Sequence, residues 1–495
     1  MFEGGFTIDS ALAVLGSAGE AWSDVAQSVQ ELVDKSLVRQ VGDARFDMLE
    51  TVREYAGQRL VAERSFADSG PVCARAARAR HWRHFAALDE RAAVADRCVE
   101  ANNLVAACRA ACEFGDASSA AACVAAAWSV LRLTGPYRSA VELAERVVKL
   151  PSLEDHARAL AHWVASDALE LLGDIESARH HLRNGLACAD RAHAAATTAR
   201  LLIALGSRQT LDGELGQARS NLEEAHRLAA AIESSELRML ALNALGVLFD
   251  RQAQWSEAQR SYEGALGLAR SLGDRHMEGG LLGNLGGLHF DMGNLRAAQN
   301  HYEMSMAVAK EVGDRRWEGN ARCNLGLLHQ KQGNNGEARN QFETALETAR
   351  HVGHVRLEYT VLCNIGILLS GEGQLDEAGQ HLEQAVNAAV AYADRRAEGQ
   401  FRGYLALNQA RRGQLDKARS SLAKGEQLLI SMSDRLSHAL LLCDRAEVEL
   451  QAQDIPAARQ AAEQARHFAE MLQCKDESDL CCRLAALDQT ITDGQ

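Results

Sequence analysis

The chain has 495 residues, 47% hydrophobic, 24% charged and 5% aromatic, with only four prolines, at 71, 136, 151 and 456, which excludes disordered and collagen-like chains. A formal net charge of -14 and a pI near 5.7 speak against a general nucleic-acid binder, whose phosphate contacts require a clustered basic surface. Ala and Leu dominate the apolar fraction and β-branched runs are scarce, so the expected fold class is all-α. The N-terminus lacks a basic segment followed by an apolar core and a small-residue cleavage site, and neither end carries a lipidation signal. No apolar stretch reaches the roughly 18 to 20 residues that span a bilayer. The expected compartment is therefore the cytoplasm, with the twelve cysteines reduced. Arg outnumbers Lys 46 to 7, read as the compositional bias of a bacterial source.

In chain order, Ile8 to Leu15 and Val25 to Leu37 predict helices. Residues Leu37 to Leu49 alternate around a Gly42-Asp43 turn as a β-hairpin, and Glu50 to Val61 returns to helix. These elements define an N-terminal domain over 1–65. Residues 66–152 read as a helical connector with an Arg-rich stretch from Arg75 to Arg91. It ends in a degenerate repeat unit near 118, where Gly135 is followed five residues later by Ala140.

From Gly173 the chain repeats every 40 residues without insertion: Gly173, Gly213, Ala253, Gly293, Gly333, Gly373, Gly413 and Gln453. Five residues after each comes an unbroken alanine column, Ala178 to Ala458. Four further on stand Leu182, Leu222, Tyr262, Tyr302, Phe342, Leu382, Leu422 and Ala462, so a small and a large residue share one helical face at i and i+4. Upstream lies a second column, Leu205-Gly206, Leu245-Gly246, Leu285-Gly286, Leu325-Gly326 and Ile365-Gly366. A glycine inside a helix costs about 1 kcal/mol unless close packing offsets it, so it marks a close helix contact. Each unit thus predicts helix A, a short turn and helix B, which ends near pairs such as Gly273-Asp274, a C-terminal glycine before an N-capping aspartate. Eight units fill 153–475. Residues 476–495 supply a cap, with Leu480, Leu484 and Leu487 on one stripe of the segment Asp476 to Ile491.

These columns resemble the tetratricopeptide repeat (TPR) family, whose pattern is W-x2-L-G-x2-Y, then A-x3-F, then P. One unit matches through Leu325-Gly326, His329, Ala338 and Phe342, while Arg322 stands in the Trp slot, no Pro closes a unit and the period is 40 rather than 34. The resemblance implies a right-handed superhelix in which each helix pair buries its apolar face against its neighbours. The two or three helices and hairpin at the N-terminus resemble a winged helix. More narrowly, Phe2-Glu-Gly-Gly-Phe6, Leu32-Val-Asp-Lys-Ser-Leu37, Leu49-Glu-Thr-Val-Arg-Glu-Tyr-Ala56 and Glu100-Ala-Asn-Asn-Leu104 are similar to the region after the nucleotide-binding domain in bacterial signalling ATPases of the STAND or NB-ARC type, among them LuxR-like and antibiotic-pathway regulators. That resemblance implies an upstream NB-ARC-type ATPase module as a partner, in cis or in trans. The chain has no Gly-Lys dipeptide and hence no P-loop, and Met48, Leu49 and Glu50 stand where the family carries Met-His-Asp, so nucleotide sensing loses its histidine.

Asn284, Asn324 and Asn364 recur two residues before the helix A glycine, a position that faces the concave groove in TPR solenoids. Such amides either pair with the backbone of an extended peptide or bond neighbouring helices. Arg322 and Arg402, two residues earlier in their units, either attract a carboxylate at the groove rim or form a solvated face. Cys323, Cys363 and Cys443 share a register with Gly283 and Gly403, which indicates packing. Cys108 and Cys112, the Cys481-Cys482 pair, His81-x-x-His84 and His351-x-x-His354 lack zinc-site spacing. No catalytic constellation, metal or cofactor is expected. The functional expectation is a non-catalytic interaction module that takes a protein or peptide in its groove as the sensor part of a bacterial regulator. The alternative is a DNA-binding or nucleotide-responsive transcription regulator acting through the winged helix. Its candidate recognition helix, Asp24 to Lys35, offers Gln27, Gln30, Glu31, Asp34 and a single Lys, a poor phosphate-contacting face, so neither DNA nor a membrane is an expected partner.

Overall fold

A computed structural model describes residues 1–15, 22–42, 44–63, 69–89, 92–94, 98–432, 434–472 and 478–493. Asp43, Arg91, the 65/66 and 475/476 boundaries and the last two residues of the tail lie outside these. The chain forms two compact bodies, one of residues 1–168 with 183–193, the other of 169–182 with 194–495.

The first body opens with helices Ile8–Leu15 and Trp22–Asp34, the antiparallel strands Val38–Gln40 and Phe46–Met48, and helix Glu50–Val61. The second helix starts and stops three residues before its expected limits, and Ser36, with φ 57, turns the chain toward the hairpin. Phe6 adds a bridge to Phe46 and joins Ala11, Val25, Val29 and Val38 in a small core. The Phe2 to Phe6 segment is pinned by Asn103, which is fully buried. Its Oδ1 accepts from the N–H groups of Glu3 (2.8 Å) and Gly4 (3.2 Å), and its Nδ2 donates to the carbonyl of Gly5 (2.9 Å). Arg45 donates to Glu100 at 2.5 Å and to the Gly4 carbonyl at 3.1 Å. Thus two segments that stood apart in the sequence, 2–6 and 100–104, form one knot. Helices Pro71–Ala86, Ala101–Phe114, Ala117–Thr134 and Tyr137–Val148 follow. Ala117–Thr134 is long and apolar enough to cross a membrane, which corrects the expectation that no stretch reaches that length, and 67% of it is buried against protein.

The second body is a tandem array of helix pairs. Its helices A are Ala195–Asp212, Ser235–Arg251, Arg275–Asp291, Arg315–Lys331, Val355–Gly371, Arg395–Arg411 and Arg435–Gln451, and each is followed by a helix B. The turn column is left-handed at all eight positions from Gly173 (φ 87) to Gln453 (φ 60), including Ala253 (φ 56). The alanine column is almost wholly buried, and the helix A glycines meet the large residue of the next helix: a Cβ on Gly326 would lie 2.5 Å from Phe342 Cε1, and one on Gly246 equally close to Tyr262. Capping is periodic too. Asp274, Asp314, Asp394 and Asp434 each accept from the backbone N–H three residues on, at 2.9 to 3.0 Å. Helix Asp479–Asp493 covers the last pair with Leu480, Leu484, Leu487 and Ile491 against Ala439, Leu442 and Ala461.

The array does not pack only between neighbours. Tyr392 reaches back 222 residues to donate to the Glu170 carbonyl, and its ring fills the space where a Cβ on Gly173 would be. Met432 does the same at Gly213, and Ile175 joins the core of Tyr359, Leu382 and Tyr392. Successive turns of this solenoid therefore touch.

Candidate functional site

The winding encloses charge. Along the first turn of successive helices A stand His276, Arg316, Arg356 and Arg396, a column of period 40. Three of these bases face an aspartate at the N-cap of the next helix A. His276 Nδ1 lies 3.7 Å from Asp314 Oδ2, Arg356 Nη2 3.3 Å from Asp394 Oδ2, and Arg396 Nε 2.6 Å from Asp434 Oδ2. Burial opposes ionisation of Asp394 and Asp434, but Arg356 and Arg396 outweigh it and hold both carboxyls below their usual range. Asp250 is half-buried, with its Oδ1 shielded from solvent and without a hydrogen-bond partner, and that burial raises it to about 6.

One rung is different. Opposite Arg316 the N-cap is His354, which is 8% exposed, makes no side-chain capping bond and leaves its Nδ1 buried without a hydrogen-bond partner. Burial, followed by Arg316 and Arg356, pushes its pKa down to about 3, so the ring is neutral at pH 7. Beside this rung a cavity of about 340 Å³ opens, lined by Asn284, Asn320, Asn324, Arg316, Arg356, Trp317 and His354, with Leu171 among its apolar lining.

Of the residues singled out in the sequence, Asn284 and Asn324 line this cavity. Asn284 already donates to Asn243 Oδ1 of the preceding unit at 2.8 Å. Asn364 is buried, and its amide donates to Cys323 Sγ at 3.3 Å. Arg322 pairs with Glu318 at 3.0 Å and Arg402 with Glu398 at 2.7 Å, each one turn earlier on its own helix. Cys323, Cys363 and Cys443 are buried thiols pushed up by desolvation, Cys323 and Cys443 to about 12. Sequence reasoning missed Arg316, Asn320 and Arg356, and weighed His354 only as half of a histidine pair without zinc-site spacing. The period-40 column of bases was readable, but its pairing across units was not.

Residues 278–351 and 241–275 match two tetratricopeptide repeat families. No curated protein matches the chain. Among solved structures, a Rap protein complexed with Competence and Sporulation Factor is similar at TM-score 0.56 and 14% identity, over 76% of this chain and 98% of that one. A signal transduction ATPase with numerous domains and a tetratricopeptide repeat sensor, from Pyrococcus horikoshii, gives 0.47 and 15%, over 88% and 62%. NprR in complex with its cognate peptide NprX gives 0.43 and 14%, over 67% and 97%. The helix pairs of the second body are a tandem helical-repeat solenoid, and the chain carries tetratricopeptide repeats.

Proposed function

We propose that this protein is a non-catalytic interaction module that holds an extended peptide or protein segment in the concave face of a right-handed TPR superhelix. The observation that carries the reading is the lumen cavity with the amides of Asn320 and Asn324 on its wall. An amide offers both a donor and an acceptor, the pair of groups that an extended backbone presents; the Asn320 donor is engaged by the Arg316 carbonyl at 3.1 Å, so the pairing falls first to Asn324. The Rap protein of the same fold was crystallised with Competence and Sporulation Factor, which gives precedent for a bound partner. The N-terminal helices and hairpin then serve as a winged-helix-like connector to a regulatory partner in the bacterial cytoplasm, an NB-ARC-type ATPase in cis or in trans. The exposed face of helix Trp22–Asp34 carries Asp24, Gln27, Gln30, Glu31 and Asp34, which disfavours DNA.

Fluorescence anisotropy with a labelled pool of random hexapeptides tests this. Binding by the wild type should weaken at least fivefold in Asn320→Ala with Asn324→Ala, with the helical circular dichroism unchanged. Equal affinity of variant and wild type would overturn the groove assignment. A gel shift or ATP titration that succeeds where the peptides fail would favour the transcription-regulator reading.

A further inference from the structure

We infer that a cavity in the first body, walled on one side by helix Glu50–Val61, binds a small apolar molecule that ends in one anionic group. This site is separate from the lumen of the repeat array and does not depend on the groove reading.

The core formed by the N-terminal helices and hairpin is open on one side. Phe6, Ala11, Val25 and Val29 are among its buried residues, yet all four also line a cavity of about 420 Å³, together with Phe2 and Leu32. Helix Glu50–Val61 forms another wall but does not fill the space: none of its residues is buried. It gives the cavity Ala56 and Gly57, its two smallest residues, and a Cβ on Gly57 would meet no atom within 4 Å. Leu15 and Val61, also in the lining, stay 51% and 41% exposed. Apolar surface left open to solvent is unfavourable, and this volume lies within the range of about 300 to 1,000 Å³ typical of small-molecule sites.

Charge selects the molecule. Arg53 and Arg78, from helices Glu50–Val61 and Pro71–Ala86, both line the cavity and both lie within electrostatic reach of the backbone nitrogen of Met1, so they converge at one end. Among the described residues neither is ion-paired; Arg53 donates to the Phe2 carbonyl at 3.3 Å. The two acids of the lining are engaged elsewhere. Asp47 pairs with Arg39 at 2.8 Å, and that hydrogen bond, with a smaller contribution from Arg53, holds its carboxyl below the usual range. Asp24 accepts from the Ser23 hydroxyl at 3.4 Å. Arg78 is therefore the cation left for a ligand, seconded by Arg53. An anionic end gains a charge-assisted hydrogen bond there while the apolar remainder covers Phe2, Phe6, Val29 and Leu32; a cationic end would face like charges.

Calorimetric titration of the full chain tests the site, with dodecanoate and dodecyltrimethylammonium as probes, each kept below the concentration at which it forms micelles. Arg78→Gln removes the cation. Ala56→Leu with Gly57→Leu fills the cavity from a helix whose propensity the changes raise, so a loss of binding with the helical circular dichroism intact is a loss of space. Dodecanoate should bind the wild type at one molecule per chain and at least tenfold more tightly than dodecyltrimethylammonium. Its affinity should fall at least tenfold in the filled variant and at least fivefold in Arg78→Gln. Absent binding, or unchanged affinity in the filled variant, overturns the site. Equal affinity for the two probes, or no effect of Arg78→Gln, overturns the anionic end of the ligand. Should the double variant lose its helical signal, Gly57→Leu alone, whose Cβ enters open space, repeats the test with the same expected loss.

Discussion

His354→Asp should stabilise the protein by restoring a missing helix cap. In the wild type the first turn of helix Val355–Gly371 has no side-chain cap, whereas the equivalent aspartates accept from the third N–H of their helices. Restoring that bond at the Leu357 N–H is worth about 1 kcal/mol. A partly buried pair with Arg316, of the kind that Arg356 makes with Asp394 at 3.3 Å, adds up to about 1 kcal/mol. Together they predict about 2 kcal/mol, roughly a thirtyfold gain in protection of the first-turn amides where exchange proceeds through opening of this helix, since every 1.4 kcal/mol is tenfold. Hydrogen exchange resolved to residues 355–358 reads it directly. The gain should widen in mild acid. His354 titrates near 3 in the folded chain and near 6.5 unfolded, so below pH 6.5 the unfolded state takes up a proton the native state refuses, and wild-type stability falls by about 1.4 kcal/mol per pH unit from this residue. The variant escapes that loss until its own carboxyl protonates. Unchanged or reduced protection at pH 7 would refute both the restored cap and the pairing with Arg316.

Gly326→Ala should destabilise the array by about 1 to 2 kcal/mol in a denaturant titration, because a clash 2.5 Å from Phe342 outweighs the helix propensity that alanine gains; a stabilised variant would refute close helix contact as the reason for the column. Asn103→Ala leaves the N–H groups of Glu3 and Gly4 and the Gly5 carbonyl without their partner, so the first body should lose about 2 to 4 kcal/mol, with 2–6 cleaved first in limited proteolysis. Tyr392→Ala removes the contact between successive turns of the array, and its urea transition should broaden, with a lower apparent m-value than wild type. A transition as sharp as wild type would show that nearest-neighbour packing alone sets the cooperativity.

The repeat was legible because it is local. A turn glycine, an alanine five residues on and an aromatic or leucine four beyond that are all constraints within one helix pair, and the left-handed φ at Ala253 and Gln453 shows the slot imposing its geometry even without glycine. What the sequence could not show is contact across long separations. Nothing in Phe2 to Phe6 announces that Asn103 will hold it, and nothing in Tyr392 announces Glu170. The candidate site suffered from the same limit. The asparagine column was visible, but whether an amide faces an open cavity or a neighbour depends on what the adjacent unit places opposite it: Asn243 at Asn284, a thiol at Asn364, no partner at Asn324 among the described residues.

That distribution bears on how the groove would choose a partner. An amide already bonded to its neighbour has less to offer a ligand, since the ligand must first replace an existing hydrogen bond and gains only the difference. Asn284, Asn364 and Asn320, whose Nδ2 donates to the Arg316 carbonyl at 3.1 Å, are in that position, so backbone recognition falls mainly to Asn324, too little to discriminate among sequences.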